Sequence, residues 1–492
     1  MVSISGFGQD GPYARYKAPD IVCTAMSGYM NLVGEPDRPP LRITIPQAYL
    51  HAANDAATAS LIALWHREMT GKGQWVDVSA QECMAWQTFS NHLYWDFKRV
   101  SATRADTGNA SITPGQAPLP VMYPCKNGYV LFTPNMGQVG KRTRGFVEWM
   151  EEEGMANDLL RECHWEGSYY TLVRQPEQGQ ETNSTQDTPL SKEEQQQLRE
   201  KLLELRENFM PFILTKTKEE LFEQAVARGL MLAPVNSVHE VLEHIHFQTR
   251  GFWQTVEHPE LSNKIIYPSV PYIAKDSPYR IQRRAPLIGE HNDEILQGDL
   301  EPSKARVIPE ATGSDTTEVF KGLKILDFTW VIVGPRTVRY FADHGATVIK
   351  IESPERPDIG RLVPPHKDDI AQADRSAWFS LYNVNKYGTT IDLTKAEGIA
   401  LAKQLIEWAD VLIESYRPGV MKKLGLDYDS VKELNPGLIY ASTCQFGQSG
   451  PYRNFAGYGH HAAAMTGFDD ITGWPDRPPS GVFWAYTDHV AP

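Results

Sequence analysis

The strongest constraint in this sequence is that part of it occurs twice. Phe446-Gly447-Gln448-x-Gly450-Pro451-Tyr452 repeats Phe7-Gly8-Gln9-x-Gly11-Pro12-Tyr13, and Gly473-x-Pro475-Asp476-Arg477-Pro478-Pro479 repeats Gly34-x-Pro36-Asp37-Arg38-Pro39-Pro40. The offset is 439 at both ends, with no gap between them. Fifteen of the 34 positions from 7 to 40 are identical, where average composition gives about two. A period this long marks a whole domain unit rather than a solenoid module. The copies part at one position of chemical weight, where Asp488 stands opposite Tyr49.

A chain of 492 residues has room for two or more such units. Its 41% apolar and 22% charged residues are those of an ordinary globular composition. No apolar run reaches membrane-spanning length, so no membrane partner is expected. The five cysteines are scattered, odd in number and without a C-x-x-C pair. That pattern points to a reducing, cytoplasmic setting and away from a zinc site or a disulfide framework. No His/Asp/Glu cluster has ligand spacing, so no metal is expected. The net charge of −13 disfavours nucleic acid as a partner; a small anion held by a few local cations stays compatible with it.

Along the chain, residues 1–50 read as Gly/Pro-rich loop, followed by a helix over 52–68 and a short strand over 75–79. Gly71-Lys72-Gly73 sits between them, but the phosphate-loop spacing is absent, so a helix-to-strand turn is the preferred reading. From about 118 to 237 the pattern is mixed: a strand at 128–132, helices at 144–153, 193–208 and 218–228, and a short strand at 232–235. Residues 175–196 form a polar insertion, and 301–317 read as a linker rich in Pro, Ser, Gly and Thr. Beyond it strands and helices alternate: strands at 323–328, 347–352, 389–393 and 411–414, helices at 336–344 and 395–409. Such alternation predicts an α/β fold with a Rossmann-like parallel sheet. The first βα turn, Thr329-Trp330-Val331-Ile332-Val333-Gly334-Pro335, lacks G-x-G-x-x-G, so a nicotinamide cofactor is not expected, although Glu352 ends the second strand.

Several motifs in this order resemble the class III CoA-transferase family. They are Gly334-Pro335, Gly345-Ala346-x-Val348-Ile349-Lys350-Ile351-Glu352, Asn385-Lys386, Ala409-Asp410-Val411, Tyr416-Arg417-Pro418-Gly419 and the Phe446–Pro451 motif. In the first part they are Trp65-His66-Arg67-Glu68-x-Thr70-Gly71-Lys72-Gly73-Gln74 and Gly289-Glu290-His291. The resemblance implies a large Rossmann-like domain, a smaller α/β domain and an interlocked pair of units. On that basis 1–117 is the end of the large domain of unit 1, 118–237 its small domain and 238–300 its return segment. A linker over 301–318 then leads to 319–492, the start of the large domain of unit 2. Unit 1 would begin about 120 residues before residue 1, so a fragment of a tandem protein is expected.

The resemblance further implies transfer of coenzyme A from an acyl-CoA to a carboxylic acid acceptor, with Asp488 as nucleophile and an aspartyl-CoA thioester as intermediate. No permanently bound cofactor is implied; coenzyme A arrives as substrate. Val331, Ile391, Ser415, Tyr416 and Lys423 match the positions that line the coenzyme A site, and Arg417 is a neighbouring candidate. Read on its own, an Asp such as Asp488 is more often an ordinary helix N-cap, and Lys423 reads as a solvated helix charge. Tyr49 is a neutral phenol at pH 7 and a poor stand-in for a carboxylate, and Asp55 lies six residues further on. Unit 1 is therefore expected to be silent and to complete the site of unit 2 as an intramolecular pseudo-dimer, or within a homodimer. Little activity is expected of the 492 residues alone, because Asp488 lies four residues from the end. Two other readings stay open. One is an acyl-CoA racemase, whose histidine position is filled here by Tyr458 and Pro19 while His460 and His461 stand two and three residues away. The other is a non-catalytic acyl-CoA-binding subunit.

Overall fold

Extended and helical segments alternate from the first residues of the chain in a computed structural model, which describes residues 1–88, 91–104, 121–173, 191–296, 318–370 and 372–492. Val2–Ser5 (β1) runs parallel to Val76–Ser79 (β2), with Ile4 opposite Val78. Between them lie the helices Asp20–Met26 (α1) and Ala48–Thr70 (α2). The loop expected over residues 1–50 is thus corrected to a strand and a helix among turns. Both are short, and they depend on pairing with β2 and on burial of Cys23 and Thr24, so they leave little periodic signal. Helix α2 ends where Gly71 turns left-handed at φ 75° and donates its N–H to Arg67 O, which satisfies one of the orphan carbonyls.

Met122–Cys125 (β3), Gly128–Phe132 (β4) and Leu232–Pro234 (β5) form an antiparallel sheet. Helices Gly140–Glu152 (α3), Lys192–Glu207 (α4) and Lys218–Arg228 (α5) accompany it. Capping boxes start α4, between Ser191 and Glu194, and α5, between Thr217 and Glu220. The core of this body gathers Phe132, Phe146, Phe209 and Phe212 with Phe446, Phe455 and Met465 of the second repeat copy. An apolar side chain buried in this way contributes about 1.5–3 kcal/mol, so the second copy is fixed to this body by its own aromatic residues. Most of the polar stretch over 175–196 and all of the linker over 301–317 lie outside the described residues. Trp253–His258 (β6) and Asn263–Pro268 (β7) make a hairpin in the return segment.

Lys324–Phe328 (β8), Thr347–Glu352 (β9), Tyr387–Thr390 (β10), Val411–Glu414 (β11) and Ile439–Ser442 (β12) form one sheet, parallel throughout, in the order β10-β9-β8-β11-β12. Counted along the chain that is 3-2-1-4-5, the Rossmann order. Val333–Asp343 (α6) and Ala396–Trp408 (α7) are its longest helices. Ile325, Val338 and Val348 belong to one core cluster, and Leu326, Phe328, Ala402 and Ile406 to another. The strand expected at 389–393 begins two residues earlier, because Tyr387–Thr390 pairs with Ile349–Glu352. Among the described residues no helix is long and apolar enough to cross a membrane.

The two repeat copies end in the helices Gly459–Met465 (α8) and Tyr486–Val490 (α9) in the second, opposite α1 and α2 in the first. They meet each other at equivalent positions. Arg477 binds Asp37 through two hydrogen bonds of 2.8 and 2.6 Å, and Arg38 binds Asp476 at 2.5 Å. Gln47 and Tyr486, which are 439 residues apart, bond directly at 2.9 Å. Residue i touching j′ while j touches i′ is the signature of a two-fold interface, here within one chain. Asp37→Arg is therefore expected to set two arginines against each other and lower the thermal midpoint. Adding Arg477→Asp restores it, and high salt shrinks the difference, as it should between exposed charges. A double variant no more stable than the single one overturns the pairing.

Candidate active site

Five parallel strands direct their carboxyl ends to one edge, and their order reverses between β8 and β11, the switch point at which open α/β sheets form their ligand crevice. Val331 lies on the loop after β8, and Ser415, Tyr416 and Arg417 follow β11. Ser415 Oγ accepts the Trp330 N–H at 2.8 Å, which joins the two loops, and the Trp330 and Tyr416 rings lie 6.2 Å apart. Burial pushes the Tyr416 phenol up to about 12, with Glu414 adding to the effect. Val331, Ser415 and Tyr416 are half-buried and Arg417 is exposed. Ile391 lies in the core cluster with Phe328 and Met421, and Lys423 is exposed at the end of a short helix. The fold thus brings Val331, Ser415, Tyr416 and Arg417 to one crevice, with Ile391 inside the core and Lys423 on the surface.

Beneath the crevice lies a buried charge network. Lys386 Nζ donates to Asp327 Oδ2 at 2.9 Å and to Pro335 O and Asn383 Oδ1 at 3.0 Å. Lys350 Nζ lies 3.0 Å from Asp358 Oδ2 and donates to Thr329 O at 2.7 Å. Burial alone would raise the Asp327 carboxyl, but Lys386 and Lys350 outweigh it and hold it below its ordinary value. Lys386, which shares that carboxylate with Lys350, is pulled down by burial. Two ammonium groups and two carboxylates, Asp327 and Asp358, thus face one another in the network.

Asp488 sits in the first turn of α9. Burial pushes its carboxyl up to about 7, against the pull of the Gly459 N–H. The residue nevertheless keeps partial solvent access. A Cβ on Gly459 would lie 2.7 Å from Asp488 Cγ and from Ala485 O, so a side chain there displaces the carboxyl. Thr487 Oγ1 donates to Gly459 O at 2.7 Å and ties α9 to the start of α8. Next to Asp488, His489 Nε2 meets Tyr382 OH at 3.0 Å, and its carbonyl accepts from Arg336 at 2.7 Å.

The body built on β3, β4 and β5 packs against α8. Thr133 Oγ1 lies 3.1 Å from His460 Nε2, and His461 Nε2 is 3.1 Å from Met231 O. Asn236 donates its side chain to Met465 O and its backbone N–H to Ala464 O, both at 3.0 Å. Burial keeps both imidazoles below their ordinary value, and His461 is lowered to about 4. Arg142 of α3 is lowered by burial and, to a lesser degree, by the charge of Arg417. The Tyr458 phenol, raised mainly by burial, feels both Arg142 and Asp488.

In the first copy the corresponding positions are exchanged. Tyr49 OH donates to Ala18 O at 2.7 Å. Asp20, opposite Gly459 in the repeat, accepts the Ala48 N–H at 2.7 Å at the start of α2. The carboxylate there is committed to holding a helix. Asp55 faces away, toward Tyr340 OH at 3.4 Å. Sequence reading gave no role to Gly459, Thr133, Asp358 or the buried lysines. A signal existed for Gly459, as the position where Asp20 faces a glycine across the repeat.

The profile of CoA-transferase family III matches residues 1–160, 159–292 and 320–492. A Mycobacterium tuberculosis protein described as a probable CoA-transferase is 26% identical over 95% of this chain and 53% of its own length. A succinate–glutarate CoA-transferase of Agrobacterium fabrum is 41% identical over 34% of this chain and 42% of its own. Subunit BbsE of the succinyl-CoA:(R)-benzylsuccinate CoA-transferase of Thauera aromatica is 30% identical over 60% of this chain and 64% of its own. The chain thus spans about half the length of these relatives. Among solved structures, a CAIB/BAIF family protein from Brucella suis is 38% identical over 34% of this chain and 44% of that one, with a TM-score of 0.32.

Proposed function

The chain belongs to CoA-transferase family III, and from that membership we propose that Asp488 carries coenzyme A between an acyl-CoA donor and a carboxylic acid acceptor. The observation that carries this reading is a desolvated, partly reachable carboxylate at a seam between two units, beside a Rossmann crevice. The ionised Asp488 attacks the donor thioester, giving a mixed anhydride and the coenzyme A thiolate. The thiolate returns to the aspartyl carbonyl, forming the aspartyl-CoA thioester and releasing the donor acid. The acceptor carboxylate then attacks that thioester, and the freed thiolate collects the acceptor from the second anhydride. Each step exchanges one acyl bond for another, with no proton or water consumed. Water must be kept out because the anhydrides hydrolyse, and the small body of unit 1 is suited to cover them.

Val331, Ser415, Tyr416 and Arg417 are proposed to hold the coenzyme A, with Ile391 supporting from below and Lys423 reaching from the rim. Unit 1 is proposed to be silent at Tyr49 and to serve as the second wall. Relatives are named for succinate and glutarate, for citramalate and for oxalate. All of these are dicarboxylic acids, which makes a short dicarboxylic acid the acceptor to try first. The test is to incubate the chain with excess succinyl-CoA and digest it, which reads the first half-reaction on Asp488 whether or not turnover to an acceptor follows. A coenzyme A adduct is expected on the peptide holding Asp488, released by hydroxylamine, and Tyr49→Phe leaves it unchanged. An adduct on the Asp20 or Asp55 peptide instead overturns the assignment.

A further inference from the structure

The loop after β8 is held in an expensive conformation. Among the described residues Val331 is the one β-branched side chain at positive φ, 69°. L-residues avoid that region because Cβ crowds the backbone, and β-branched ones avoid it most. Such a conformation persists only where its surroundings enforce it.

We propose that Asp358 is the positioning residue that holds the Val331 turn left-handed and so shapes the coenzyme A crevice. The inference rests on the crevice being the coenzyme A site. Asp358 Oδ1 accepts the Val331 N–H at 3.0 Å and the Gly360 N–H at 2.8 Å. Its Oδ2 lies 3.0 Å from Lys350 Nζ, and that ammonium donates to Thr329 O, two residues before Val331. One ion pair thus grips the turn at both ends. Asp358 is 0% exposed, so water does not compete for these bonds. The loop after β9, which carries Asp358, also reaches toward the nucleophile. A Cβ on Gly360 would touch the Trp378 ring, and Trp378 meets Trp484 edge-on at 4.7 Å. Trp484, also left-handed at φ 46°, leads into the helix bearing Asp488.

The experiment is calorimetric titration of the full chain with coenzyme A, with thermal midpoints measured in parallel. Asp358→Asn keeps an acceptor oxygen but loses the charge, and is expected to weaken binding about tenfold, the scale of one strained residue. Val331→Gly alone sets the reference for the lost valine contact, and adding Asp358→Asn to it is expected to cost less than about twofold more, since glycine adopts the turn unaided. The thermal midpoint of the double variant stays low, because Lys350 still lacks its partner. A merely structural role for Asp358 predicts the same loss of affinity with or without the glycine. Should Asp358→Asn fail to fold, Val331→Pro forbids the turn without touching the ion pair and is expected to lose at least about tenfold. An undiminished loss in the glycine background, or undiminished affinity in Val331→Pro, overturns the inference. A wild-type chain that does not bind coenzyme A overturns the proposed function itself, and this inference with it.

Discussion

Asp488→Asn abolishes the coenzyme A adduct and stabilises the protein above pH 7. The amide has the shape of the carboxyl but no nucleophilic charge, so no covalent intermediate forms on it. The gain in stability comes from the same burial that tunes the carboxyl to about 7. A carboxyl raised in the folded state is tolerated there in its protonated form. Its contribution is fully present below the unfolded value near 4, and is lost as pH rises through about 7. Asn escapes that loss. Each pKa unit corresponds to about 1.4 kcal/mol; with partial solvent access discounted, the variant should gain about 2 kcal/mol at pH 8 and close to nothing at pH 4. Adduct formation by the wild type should rise about tenfold per pH unit to a plateau above about 7. A variant no more stable at pH 8 than at pH 4, relative to wild type, defeats the account of the buried carboxylate.

Asp327→Asn is expected to be the most damaging conservative change in the large sheet. The Asp327 and Lys386 side chains are 0% and 1% exposed, and the other Lys386 acceptors are the neutral Pro335 O and Asn383 Oδ1. Removing one partner of a buried pair strands the other charge, at a cost of about 3–5 kcal/mol. Because Asp327 is depressed, its contribution is present above the unfolded value near 4 and is lost as pH falls through its folded one. The expected result is a large fall in the urea midpoint at pH 7 that narrows in acid. Neutralising Lys386 as well, by Lys386→Met, should recover much of the loss. A fall as small as that of an exposed pair, under about 1 kcal/mol, would show that the network is not structural.

The repeated motif, the parallel sheet and the exchange of Asp488 for Tyr49 across the repeat were all legible in the sequence, for physical reasons. Strands buried on both faces read as runs of Val, Ile and Leu, as at Val348, Ile349 and Ile351 of β9. What stayed hidden depends on contacts between distant segments. Asp358 lies 27 residues from the Val331 N–H it accepts, and Thr133 lies 327 from His460. No local pattern encodes such pairs. Strand β1 and helix α1 were missed because, only four and seven residues long, they draw their stability from neighbours. Arg142 gave no signal either, since the charge that acts on it, that of Arg417, lies far along the chain.

The bonding of Gln47 to Tyr486 across equivalent positions has a further consequence. In an assembly of two identical chains every substitution is made twice, and both sides of a two-fold contact must change together. Joining the halves in one polypeptide lifts that restriction, so Asp20 with Tyr49 and Gly459 with Asp488 can divide labour at matched places. It also makes the encounter of the halves unimolecular, with an effective concentration set by the connecting chain rather than by the amount of protein. A seam of this kind does not come apart on dilution.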